Sequence, residues 1–199
     1  MKKILSILLL SGLSSLSFAQ DDVMLQGFYW DSFRDTQWIR LEAQAEELGR
    51  YFDLIWVPQS GWCGGMNNMG YTPKYYWDQH SAFGTEAELR SMIQTFKSRG
   101  TGIIADVVIN HRGSISGWYT FPAETYNGVT YQMTAADVCR NDDGGKTAAQ
   151  AQKEGVSLSP NNDTGEDWDG CRDLDHQSEN VQNIIKAYTR YLIDDLGYV

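Results

Sequence analysis

Short apolar runs alternate with helical patterns through the first half of the chain, and that alternation restricts the fold more than any other feature. "VMLQGFYW" (23–30), "FDLIWVP" (52–58) and "GIIADVVINHR" (102–112) read as strands, the second stopped by Pro58. Between the first two, "TQWIRLEAQAEELG" places Trp38, Leu41, Ala45 and Leu48 on one helical face, with Gly49 as the C-cap. "GTEAELRSMIQTFKSRG" is a second helix: Thr85 and Glu88 have capping-box spacing, Leu89, Met92, Ile93 and Phe96 form the stripe, and Gly100 ends it. Strand, helix, strand, helix, strand implies βαβ units and a parallel sheet covered on both faces, which is why the strands are apolar almost throughout.

The rhythm breaks after Arg112. From Gly113 to about Gln177 the chain is rich in Gly, Asn, Asp, Thr and Tyr and shows no period. A connection of roughly 60 residues is too long for a plain loop and reads as an insertion with its own structure. The helical pattern resumes at Ser178, an N-cap, with Val181, Ile184, Ile185, Tyr188 and Leu192 on one face, and "LGYV" (196–199) begins a fourth strand. Three strands and the entrance to a fourth do not close a parallel barrel. The chain therefore reads either as a small open α/β domain or as the N-terminal part of a larger one, and an insertion at the carboxyl end of a strand favours the second.

Residues 1–19 are expected to be a signal peptide rather than fold. "MKK" is a basic start, "ILSILLLSGL" is too short to anchor in a membrane, and Ser17 and Ala19 are small residues at the cleavage positions before Gln20. Export to the periplasm or medium follows as an expectation. The formal net charge of −10 argues against nucleic acid, which needs a basic footprint, and leaves room for cations. Seven Trp and eleven Tyr suit flat ligands such as sugar rings as well as a core. Cys63, Cys139 and Cys171 fit no zinc spacing; Cys139 and Cys171 share the irregular region and the sequence leaves their pairing open.

"DVVINH" (106–111), "GYTP" (70–73), "FGTEAELRSMI" (83–93), "CRNDD" (139–143) and "NNDTGEDWDGCRDLDH" (161–176) stand in one order along the chain. Together they resemble the α-amylase family of glycoside hydrolases, most nearly its plant-like members. The resemblance covers essentially the whole chain after residue 19. It implies the N-terminal portion of a (β/α)8 TIM barrel, strands one to three and the entrance to strand four, with an irregular calcium-binding insertion after strand three. The domains it implies are 20–112 and 178–199 for the barrel and 113–177 for the insertion. It also implies a secreted enzyme, monomeric when complete, that cleaves internal α-1,4 bonds of starch, glycogen or maltooligosaccharides with retention. The nucleophile, acid/base and third carboxylate of the family are expected beyond Val199, so the 199 residues alone are expected to be inactive. The competing reading is a non-catalytic, calcium-stabilised α-glucan-binding protein.

By the same resemblance His111 contacts a sugar, Tyr71 stacks against it, and Trp62 of "SGWCGG" joins them. Asp106 would pair with an Arg on strand four, which answers why an apolar strand carries a carboxylate. Ca2+ would be held by Asn110 and Asp173, with Asp167 and Asn141 at a second calcium site where Asn141 replaces an Asp. Calcium prefers six to eight oxygen ligands, and these are oxygen donors. An EF-hand is excluded, because taking Gly170 as the central glycine puts Gly165 and His176 at the end ligand positions. The remaining acidic residues, Asp142, Asp143, Asp163, Asp169 and Asp175, read as either ligands or solvated loop.

Overall fold

A computed structural model describes residues 22–199. The expected signal peptide lies outside the described residues. Among those described, no helix is long and apolar enough to cross a membrane.

Three strands form one parallel sheet in chain order: β1 (Met24–Gln26), β2 (Leu54–Val57) and β3 (Gly102–Ala105). Met24 pairs with Leu54 and Leu54 with Gly102, so the strands run in step. Ile55, Val57 and Ile103 are fully buried in the core. Pro58 has no N–H, so β2 cannot extend its ladder with β1 beyond the bond from Gly27 N to Trp56 O (2.8 Å).

The helix expected over 36–49 is two short ones, α1 (Trp38–Glu42) and α2 (Ala45–Leu48), parted at Gln44 (φ −96°, ψ 1°). The apolar stripe runs on across the break, Trp38, Leu41 and Ala45 all being buried, so the period alone sees one helix. Gly49 keeps a right-handed φ of −65°. It is small for lack of space instead: a Cβ there would meet Ala45 O at 2.8 Å. Helix α3 (Glu86–Lys97) has the Thr85–Glu88 capping box and buries Leu89, Met92, Ile93 and Phe96. It packs on α1, and just ahead of it Phe83 lies 5.1 Å from the Trp38 ring of α1.

The third apolar run is not one strand. It leaves the sheet after Asp106 N donates to Val57 O (2.9 Å), and Asn110 is an exposed bend rather than a strand end. His111–Gly113 then forms β4, which pairs antiparallel with a strand of the insertion named β7 below. The segment 113–177, expected as an insertion, is therefore stitched to the parallel-sheet segment by backbone bonds. It contains the hairpin β5 (Glu124–Tyr126) and β6 (Val129–Tyr131), the helix α4 (Lys146–Glu154) and β7 (Cys171–Asp173). Helix α4 has only Thr147 and Ala151 buried, too few apolar residues to show a period in the sequence.

A buried clasp joins these pieces. Arg112 of β4 pairs with Glu124 of β5 at 2.5 Å and donates to Lys74 O at 2.9 Å. The Glu124 carboxylate accepts from Tyr76 N (3.0 Å) and Trp77 N (2.9 Å), and the Arg112 guanidinium lies 4.3 Å from the centroid of the Tyr76 ring. Helix α5 (Glu179–Arg190) starts at Ser178, whose hydroxyl accepts from Val181 N, and passes into a π-helical stretch, Tyr191–Leu196. Residues 197–199 are not a strand. They only approach the edge of β3, through a bond from Val199 N to Ile103 O (3.0 Å).

All three cysteines are free and buried, so Cys139 and Cys171 are not paired. Burial pushes their thiols up, to about 11 for Cys63 and about 12 for Cys139 and Cys171.

Candidate functional site

Tyr71 is set by a tight turn. Gly70 sits at φ +100°, and a Cβ there would meet Gln59 O at 2.8 Å, so only glycine fits. Asn68 braces the turn from both ends, accepting from Gly70 N and donating to Thr72 Oγ1, each at 2.7 Å. The half-buried Tyr71 ring stacks on the exposed Trp30 (5.8 Å, 12°) and tilts against Trp168 (5.9 Å, 48°). Trp168 stacks in turn on His111 (5.2 Å, 9°). Trp30, Tyr71 and Trp168 share a cleft of about 190 Å³ that also includes Asn67, Asn68 and Thr72.

His111 Nε2 lies 2.7 Å from Tyr71 O. A carbonyl only accepts, so Nε2 carries the proton and Nδ1 is the acceptor of the neutral ring. Burial lowers the imidazole pKa and favours that neutral form. The structure thus brings Tyr71 and His111 together as backbone-to-ring partners. Trp62 is not brought to them: it stacks on the exposed His80 (5.0 Å, 20°) and is absent from the cleft. Asp106 has no salt bridge among the described residues; the Tyr71 hydroxyl stands 3.4 Å from its Oδ2, and burial raises its pKa.

The acidic residues sort themselves. Asp142, Asp167 and Asp173 each place a carboxylate oxygen within 4.8 Å of the others. Asp142 is already satisfied, with Arg172 Nη1 at 2.7 Å, the Thr147 hydroxyl, and Asp173 N at 2.8 Å. Asp173 is not. It is 1% exposed, and neither carboxylate oxygen has a hydrogen-bond partner. Burial first, then the Asp142 carboxylate and the other acidic neighbours, raise its pKa to about 7. A buried carboxylate with two bare oxygens beside two more carboxylates is the environment a hard cation satisfies.

Of the residues expected at calcium, Asp173 and Asp167 are in this cluster. Asn141 spends its amide elsewhere, donating to Asp163 O (2.9 Å) and accepting from Asp163 N (2.7 Å). Asn110 stands across from Leu174, whose N–H donates to its carbonyl (2.9 Å), one residue along the ribbon from Asp173. Sequence reasoning singled out neither Trp168 nor Trp30, and it left Asp142 among the unsorted acids. "CRNDD" held the signal for Asp142, one residue from the Asn141 it preferred.

In the ribbon His111 pairs directly with Asp173, so the ring of the aromatic cluster and the bare carboxylate are cross-strand neighbours on one face. The model of the alpha-amylase catalytic domain matches residues 53–198, which contain Tyr71, His111 and the acidic cluster. The chain belongs to the alpha-amylase family. It is 25% identical over 179 residues to "Alpha-amylase 3, chloroplastic" of Arabidopsis thaliana, covering 89% of this chain and 19% of that protein. "Probable alpha-amylase 2" of the same plant is 24% identical over 180 residues, covering 89% and 39%. Among solved structures, the Bacillus licheniformis trehalose-6-phosphate hydrolase superposes with a TM-score of 0.58 at 18% identity, over 89% of this chain and 34% of that one. That likeness concerns the fold, a part of the family's TIM barrel. The chain spans well under half of each of these relatives.

Proposed function

We propose that the chain is the glucan-holding part of a secreted alpha-amylase. The complete protein would hydrolyse internal α-1,4-glucosidic bonds of starch or glycogen with retention of configuration. The observation that carries the reading is the joint placement of Tyr71, Trp168 and His111 beside Asp173. Aromatic faces pack against the apolar faces of sugar rings, and the neutral His111 ring, its Nε2–H held by Tyr71 O, offers Nδ1 as an acceptor for a hydroxyl. Retention calls for two carboxyls roughly 5–5.5 Å apart. The reading takes them from a longer polypeptide, in keeping with relatives of which this chain spans 19% and 39%.

Calcium fits the acidic cluster. Asp173 and Asp167 would hold it, with Asp142 alongside and Asn110, the residue before His111, as a further oxygen donor. Bound there, it would neutralise the buried carboxylate and tie the insertion to the barrel segment. Electrophoresis through gels containing soluble starch or glycogen tests the glucan reading. Retardation relative to a gel containing hydroxyethylcellulose is expected, and unchanged mobility in starch and glycogen would overturn it.

A further inference from the structure

Trp168 lies where the two clusters meet. Its ring covers His111 and leans on Tyr71, while the residue before it, Asp167, places a carboxylate among Asp142 and Asp173. One peptide unit separates the group a cation would draw in from the ring that walls the cleft. The segment carrying both is lightly built. Residues 164–170 are all exposed and contain no helix or strand. Among the described residues its ties are Asp163 to the Asn141 amide, Gly165 N to the Asp163 carboxylate (2.7 Å), Asp143 N to Asp167 (2.9 Å), and Cys171 N to Trp168 O (3.0 Å). Trp168 keeps 38% of its surface exposed although it touches two rings, so it is a wall of the cleft and not a core residue.

We propose that Trp168 contacts the bound glucan and that a cation held through Asp167 sets its position, so that cation and glucan binding are coupled. The inference rests on the glucan and calcium readings above and adds the residue that links them. Without the cation, the Asp167 carboxylate sits among like charges, accepting among the described residues from Asp143 N, and the segment has little to fix the indole over His111. With it, Asp167 is anchored to the ribbon and the ring is presented to the sugar. Linkage is reciprocal, so glucan must tighten the cation by the same factor as the cation tightens glucan.

The test is calorimetric titration of the chain with maltoheptaose, with saturating calcium or with chelator, beside melting curves under the same conditions. Calcium should tighten maltoheptaose binding by about 5-fold or more, within the usual span of allosteric coupling. Trp168→Ala should abolish that tightening yet keep the calcium-induced rise in Tm, because the indole is not a cation ligand. Trp168→Phe should restore most of the tightening. Calcium-dependent tightening that survives in Trp168→Ala overturns the inference. So does loss of both the tightening and the Tm response in the alanine and phenylalanine variants alike, which would make Trp168 a packing residue only. Equal binding by wild type with and without calcium overturns the coupling and leaves the glucan reading standing. Absence of any maltoheptaose binding by wild type overturns the glucan reading itself, and this inference with it.

Discussion

Asp173 is the residue whose chemistry is least at rest. Its raised pKa, about 7, means that burial makes the ionised form costly in the folded chain. The sign follows from linkage. Below about pH 4 both folded and unfolded states hold the proton and nothing is lost. Between there and pH 7 the unfolded state releases its proton first, so stability falls as pH rises; above 7 the loss is complete and flat. In chelator, wild type should therefore lose Tm between pH 5 and 7.5 relative to Asp173→Asn, as followed by differential scanning fluorimetry. Calcium at pH 7.5 should reverse the order, since a ligand at a hundredfold excess over its Kd adds about 2.7 kcal/mol to the state that binds it. At the aromatic cluster, Tyr71→Ala should weaken maltoheptaose binding by about 10-fold, taking base–aromatic stacking of about 1–3 kcal/mol as the guide. Affinity within a factor of two of wild type would remove Tyr71 from the sugar contact.

Among the elements, the buried clasp carries the most. Arg112 on β4 and Glu124 on β5 are 1% and 8% exposed, and each also serves backbone groups of residues 74–77. Removing one partner strands the other charge in the interior. Arg112→Met and Glu124→Gln should each cost about 3–5 kcal/mol in urea unfolding, and the double variant less than their sum. The hydrogen bonds that Glu124 accepts from the Tyr76 and Trp77 amides make its loss the more damaging. The elements also show where sequence patterns stop being informative. Helix α3 was legible at its start and along its buried face because its cap and its four-residue stripe are local, although it stops at Lys97 with Ser98, not Gly100, as its C-cap. The parallel pairing of β1, β2 and β3 was legible because a sheet covered on both faces demands continuous apolar strands. The β4–β7 ribbon was not, since three residues carry no period and their pairing joins positions some sixty residues apart. The same non-locality hid the site. Trp168 reads as one more loop residue until β7 brings its segment back onto His111, and Asp142 looks like any surface acid until Arg172 is found against it.

At the scale of the whole molecule, the segment 113–177 is held to the parallel-sheet segment by a short ribbon and one clasp, while Asp142, Asp167 and Asp173 crowd like charges within it. Without a cation those charges repel one another, so cation removal should loosen 113–177 before it disturbs the parallel sheet. Limited proteolysis in chelator is expected to cut first within 113–177, with the early fragments placed by mass spectrometry. Calcium should suppress those cuts, and early cleavage within α3 instead would show that the sheet side opens first. The three buried thiols turn this order of events into a clock. Each is shielded and held well above the pH at which it would react, so an alkylating reagent labels it only when its surroundings part. Cys171 sits in the ribbon and Cys139 N bonds to Asp173 O beside it, whereas Cys63 lies in the segment that follows β2. Their separate labelling rates would time the opening of the ribbon against that of the barrel segment in the unmodified chain, with no mutation and no bound reporter.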